Sequence, residues 1–117
     1  ELSYTDGIFL GIELPLRTSG DHESTPGGIL VGPHGALNLA QGIIRAARHV
    51  HMNPDDLAHF LVRDGDHMNL KIEGPCGVTF DRVRVREHPK VKLEVHIDTD
   101  EGNACDLGSA THMELVK

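Results

Sequence analysis

Aromatic residues are nearly missing from this chain. It has no tryptophan, one tyrosine and three phenylalanines among 117 residues. A core built on large rings is excluded, so Val, Ile and Leu must fill it, with Phe9, Phe60 and Phe80 as the available phenyl groups. Cysteine is equally sparse. Cys76 and Cys105 are too few for a disulfide scaffold and form no C-x-x-C pair, so both read as free thiols in a reducing compartment. Positive charge is short: 11 Lys and Arg stand against 18 Asp and Glu, a net charge of −7. No global basic surface exists, which argues against nucleic acid as a partner and leaves local arginine clusters as the binders of phosphate groups. No apolar run is long enough to cross a bilayer, and the first residues carry no signal-peptide pattern. The expectation is a soluble cytoplasmic protein without a membrane partner.

Turn formers, in contrast, are plentiful, with 13 glycines and 6 prolines. They suit short strands better than long helices. "GILVGPHGALNL" predicts a hairpin of Ile29–Val31 and Ala36–Leu39 around Gly32-Pro33-His34-Gly35. "RTSGDHESTPGG", Arg17 to Gly28, is a polar loop. Ile8 to Leu16 is apolar without a decisive period and fits a strand or a short helix. The chain opens on Glu1 within a strand-like pattern, as a fragment, a processed chain or a split subunit would. Ile43–Ile44 and Arg48–Met52 read as strand. Asn53-Pro54-Asp55-Asp56 is a helix start: a capping Asn, a Pro at the first turn, and two carboxylates at the positive end of the dipole. That helix should reach about Leu61.

Asp64-Gly65 predicts a hairpin turn before a strand at His67–Ile72, and "GPCG" a second turn before "VTFDRVRVRE". "VKLEVHID" alternates, with Val91, Leu93, Val95 and Ile97 on one face and Lys92, Glu94, His96 and Asp98 on the other. A helix capped by Asp98 or Thr99 follows, and "THMELVK" ends the chain as a strand. The fold class is mainly β: small β-barrels capped by short α-helices. Residues 1–46 read as a partial first barrel that includes the RTSGD loop, and residues 47–117 as a second barrel.

The chemistry centres on "ARHVHMNPDDL". His49 and His51 are two apart, so on a strand both imidazoles face the same side and can serve one metal ion. Among nine histidines such spacing also arises by chance, and surface histidines are the plain alternative. His96 closes another strand just before another helix start, on the face opposite Val95 and Ile97. If those strands are neighbours, three imidazoles converge, the ligand pattern of a catalytic zinc with one open position. Arg17, in a loop with two hydroxyls and a glycine, suits two-pronged phosphate recognition; an ordinary solvated turn is the alternative. Glu23 is a metal ligand or base, or simply a surface carboxylate. Arg82, Arg84 and Arg86 alternate with valines and make a polar strand face, either solvated or a docking face for an anionic cofactor.

Taken in order, "PLRTSGDHESTPG", "ARHVHMNPDD", "VRDGD", "GVTFDRVRVR" and "LEVHIDTDEGNACDL" resemble the phosphate propanoyltransferases, the PduL-type phosphotransacylases. The resemblance covers nearly the whole chain. It implies two small β-barrels with helical caps and interconversion of acyl-CoA plus phosphate with acyl phosphate plus coenzyme A. It implies a site with two metal ions, usually zinc. One would be held by His49, His51 and His96. The other would be held by Glu23 and an earlier His-x-His segment that lies upstream of these residues. Arg17 would hold phosphate. The setting implied is the cytoplasm or the lumen of a bacterial microcompartment, as in propanediol utilisation. The upstream pair, and a second chain or a homo-oligomer partner to supply it, would be needed for activity. Two rivals stand beside the transferase: a non-catalytic metal-binding barrel or partner-binding subunit, and a metal-dependent hydrolase using the same histidines.

Overall fold

A computed structural model describes all residues, Glu1–Lys117. The chain is 20% helical and 37% strand, and it divides into two units, Glu1–Ala47 and Arg48–Lys117.

The first unit opens with a helix, α1 (Tyr4–Leu10), where the sequence left strand and helix open and its start looked strand-like. The Ser3 hydroxyl accepts from the Asp6 amide and the Asp6 carboxylate accepts from the Ser3 amide, which satisfies two of the free donors at the helix start. Gly11 stops α1 in the left-handed conformation, φ 68°. Two-residue strands β1 (Leu16–Arg17) and β4 (Arg45–Ala46) pair in parallel. The expected hairpin forms from β2 (Gly28–Gly32) and β3 (Gly35–Leu39). Ile43–Ile44, expected as strand, lies outside any strand, though Ile44 is fully buried. Phe9, assigned to the core on composition, is 88% exposed.

The second unit is a five-stranded sheet, curled into a half-barrel, in the order β8-β5-β7-β6-β9. Its strands are β5 (His49–Met52), β6 (His67–Glu73), β7 (Val78–Glu87), β8 (Glu94–His96) and β9 (His112–Val116). Strand β5 pairs in parallel with β7; every other pairing in this sheet is antiparallel. One face carries the core: Val50 and Met52 from β5, Met68, Leu70 and Ile72 from β6, Val83 and Val85 from β7, joined by Val62 and Cys105. Phe60 and Phe80 pack against it. Both cysteines are free, Cys105 buried and Cys76 exposed.

Helix α2 (Pro54–Phe60) starts as its local chemistry dictates: the Asn53 side chain accepts from the Asp55 and Asp56 amides at 2.9 and 3.0 Å. The "VRDGD" segment is not a hairpin turn. It carries the chain from α2 into β6, and it is fastened to β7 by Gly65 N–H to Val85 O, 2.9 Å, and Glu87 N–H to Asp64 Oδ1, 2.8 Å. β7 contains a bulge. Met68 lies opposite Val83 and Leu70 opposite Phe80, so Asp81 and Arg82 together face Asn69, with Arg82 at φ 56°. The extra residue lets Phe80, Val83 and Val85 all serve the core face. α3 (Thr99–Ala104) is capped by Asp98, and a 3₁₀ turn at Leu107–Ser109 leads to β9.

Candidate metal centre

Strand pairing assembles the site. β5 and β8 are antiparallel neighbours with His49 opposite His96. Their side chains share a face, and the two rings stack with centroids 4.9 Å apart. His51 follows His49 on the same face, its ring 5.0 Å from that of His49 and 4.8 Å from that of His96. Val50 and Met52 point the opposite way into the core, which fixes the orientation of β5 and so of both imidazoles. One ligand nitrogen from each of His49, His51 and His96 lies within 4.8 Å of the others.

The surroundings suit a cation held by neutral imidazoles. His51 Nδ1 is buried and has no hydrogen-bond partner, a state that a ligated nitrogen would relieve. Burial is the main cause that holds the His51 pKa below its ordinary value. His49, His96 and Arg86 push it the same way, and Glu94 opposes them. Glu94 Oε2 lies 3.7 Å from His96 Nε2. Three imidazole donors suit a borderline divalent cation such as zinc.

A supporting network was not legible in the sequence. Arg48, next to His49, places Nε 2.7 Å from Glu101 Oε1 and Nη1 2.9 Å from the Asp81 carbonyl oxygen, with its guanidinium over the Phe80 ring. Glu101 also accepts from the Asp98 amide in the capping box of α3. The network therefore ties the start of β5 to the helix that follows His96. The acidic run at the α3 start was a visible signal for the cap; its long-range arginine partner had none.

Arg17 and Glu23 belong to the first unit. Arg17 ends β1, with Nε 3.8 Å from Asp21 Oδ2 and Nη1 donating to Leu16 O at 3.3 Å. Glu23 is exposed between His22 and Ser24. The buried Thr25 pins this loop, its hydroxyl donating to His22 O at 2.7 Å and accepting from Gly42 N–H at 2.9 Å. Within the chain, the triad of the second unit is the set of imidazoles that the fold brings together.

A curled, mainly β sheet presenting three convergent imidazoles on the face away from its core defines a candidate metalloprotein. Comparison with known proteins narrows the class. Residues 1–108 match the family model described as phosphate propanoyltransferase. A phosphate propanoyltransferase of Planctopirus limnophila is 62% identical over 118 residues, spanning 100% of this chain and 48% of that protein. Those of Alkaliphilus metalliredigens and Thermotoga maritima are 44% and 41% identical, each spanning 100% of this chain and 55% and 56% of the relative. The chain belongs to the phosphate propanoyltransferase family, and it spans about half the length of the curated relatives it matches.

Proposed function

We propose that this chain supplies the zinc-binding half of a phosphate acyltransferase. The full enzyme interconverts short-chain acyl-CoA plus phosphate with acyl phosphate plus coenzyme A. The observation that carries this reading is the convergence of His49, His51 and His96 from two neighbouring strands, in a chain of this family.

In this reading the three histidines hold one zinc ion. When bound, zinc acts as a Lewis acid toward the thioester carbonyl and the thiolate leaving group. Arg17 orients phosphate through paired N–H donors. Glu23 contributes a carboxylate to a second metal whose remaining ligands, an upstream His-x-His pair, are not among these residues. A phosphate oxygen bonds to the acyl carbon, the carbon–sulfur bond breaks, and coenzyme A leaves as the thiolate. No Ser-His-Asp set or activated Cys nucleophile supports an acyl-enzyme: Cys105 is buried in the core and Cys76 lies in the turn between β6 and β7. Residues 1–46 and 47–117 would each form part of a small barrel completed by the rest of the enzyme. The reaction would run in the cytoplasm or inside a microcompartment. No helix is long and apolar enough to cross a membrane.

Elemental analysis of purified protein tests the metal assignment first. About one zinc per chain, lost in His49→Ala, is expected for the triad. Thiol release from acyl-CoA, with and without phosphate, then tests the reaction. Phosphate-independent cleavage would favour the hydrolase. Absence of turnover even when the remaining half is supplied would favour the non-catalytic metal-binding barrel. Acylation of a protein side chain by radiolabelled acyl-CoA would overturn direct displacement.

A further inference from the structure

The parallel pairing of β5 with β7 puts arginines beside the histidines. His49 lies opposite Arg84 and His51 opposite Arg86. Val50 and Met52, and Val83 and Val85, all enter the core, so these histidines and arginines share the other face of the sheet. His67 lies opposite Arg84 on the far side, so His96, His49, Arg84 and His67 form one row across four strands.

Arg86 lies beside His51 on this face. It is half-buried, and no carboxylate pairs with its guanidinium, unlike Arg48 with Glu101 and Asp81 or Arg17 with Asp21. A half-buried guanidinium has given up part of its hydration, which a counter-charge replaces. The need grows next to a site for a divalent cation, and Glu94 is the single carboxylate on the paired stretch of the two histidine strands. A dication at the histidines beside the arginines of this face, with Glu94 the one carboxylate on the paired stretch, leaves a positive excess that calls for an anion.

We propose that Arg86 is an anion-binding residue of this face, holding a phosphoryl oxyanion beside the three histidines. The inference rests on the metal reading above and adds a ligand group to it. A phosphoryl group fits best because its oxygens match the two-pronged donors of guanidinium and can also serve a zinc ion held by imidazoles. Inorganic phosphate, acyl phosphate and the phosphates of coenzyme A all offer that chemistry.

The test uses the full-length, zinc-loaded protein and calorimetric titration with inorganic phosphate, coenzyme A and dephospho-coenzyme A. Arg86→Gln is expected to keep its zinc and to weaken binding of a phosphoryl ligand by about ten- to a hundredfold, the worth of a charge-assisted hydrogen bond. Arg86→Lys should restore part of the loss, since charge returns without the fork. Arg63→Gln, which removes one exposed positive charge elsewhere, should change nothing. Loss confined to phosphate assigns inorganic or acyl phosphate. Loss for coenzyme A alone assigns one of its phosphates, and its dephospho form tells which. Unchanged affinity for all three ligands in Arg86→Gln, or a wild type that binds none of them, overturns the proposal. Zinc content separates this from failure of the metal reading. If the wild type holds no zinc, that reading falls, and the same comparison on the metal-free proteins still decides Arg86.

Discussion

His51 is the imidazole of the triad whose protonation its surroundings bias. Burial and then its basic neighbours hold its pKa below 6.5, so the neutral, ligating form is favoured at neutral pH. The sign of the effect on stability follows. In the unfolded chain His51 protonates near the ordinary value; in the folded chain it stays neutral to lower pH. Between those two values the unfolded state binds more protons. In metal-free protein the contribution to stability is therefore intact above 6.5 and lost progressively as pH falls below it. Urea melts at about pH 7.5 and about pH 5.5 should show a lower midpoint in acid, with a smaller drop in His51→Gln; an unchanged drop would assign the acid loss elsewhere. His96 makes a sharper case for the ligand set. It is one of three donors, so His96→Ala should lower zinc affinity by more than the roughly 10- to 100-fold that loss of an outer partner costs. Competition with a chelator would measure it, and stoichiometric zinc retained at wild-type affinity would remove His96 from the site.

Elements marked by capping residues or by alternation were legible, and which strands pair with which was not. The α2 start was readable because Asn53, Pro54 and Asp56 act on their own backbone. Asn53→Ala should cost about 1 kcal/mol of stability in a urea melt. The end of α2 is a weaker piece of construction. Leu61 stands in the left-handed conformation at φ 54° and is 78% exposed, so its side chain gains little from burial. Leu61→Gly should raise stability by about 0.5–1 kcal/mol, since the strain removed exceeds the added chain entropy; a loss would mean that the leucine makes a contact worth more than its strain. Helix α1 was harder to read because "GIFLGIEL" has no clean period, although Ser3 and Asp6 stood at capping-box spacing. "VRDGD" resembled a hairpin because Asp-Gly favours tight turns, but the antiparallel partner of β6 comes later in the chain. The same distance effect governs the site. The sequence placed His49 with His51 and put His96 on the outward face of its strand, whereas the neighbouring of β5 and β8 depends on which strands the core aligns.

At the scale of the whole molecule, each unit leaves apolar surface open when taken by itself. In the first, Ile29, Val31 and Leu37 on the β2–β3 hairpin and Phe9 on α1 are exposed, and register puts Ile29 and Val31 on one face of the hairpin and Leu30 and Leu37 on the other. A two-stranded hairpin with both faces apolar and bare is marginal in water. In the second, β8 and β9 each have one strand neighbour. A groove of about 490 Å³ lined by Phe60, Leu93, Val95, Met113 and Leu115 lies on the half-barrel. Unpaired strand edges beside apolar grooves invite association. The isolated 117-residue chain should therefore bind a dye such as ANS and self-associate as its concentration rises, as seen by sedimentation. The protein extended to the length of its relatives should do neither, and should be the form that turns over acyl-CoA with phosphate. A monomeric isolated chain that leaves the dye dark would show that the half-barrel stands alone, and transferase turnover by that chain would place the whole reaction within the residues that carry the three histidines.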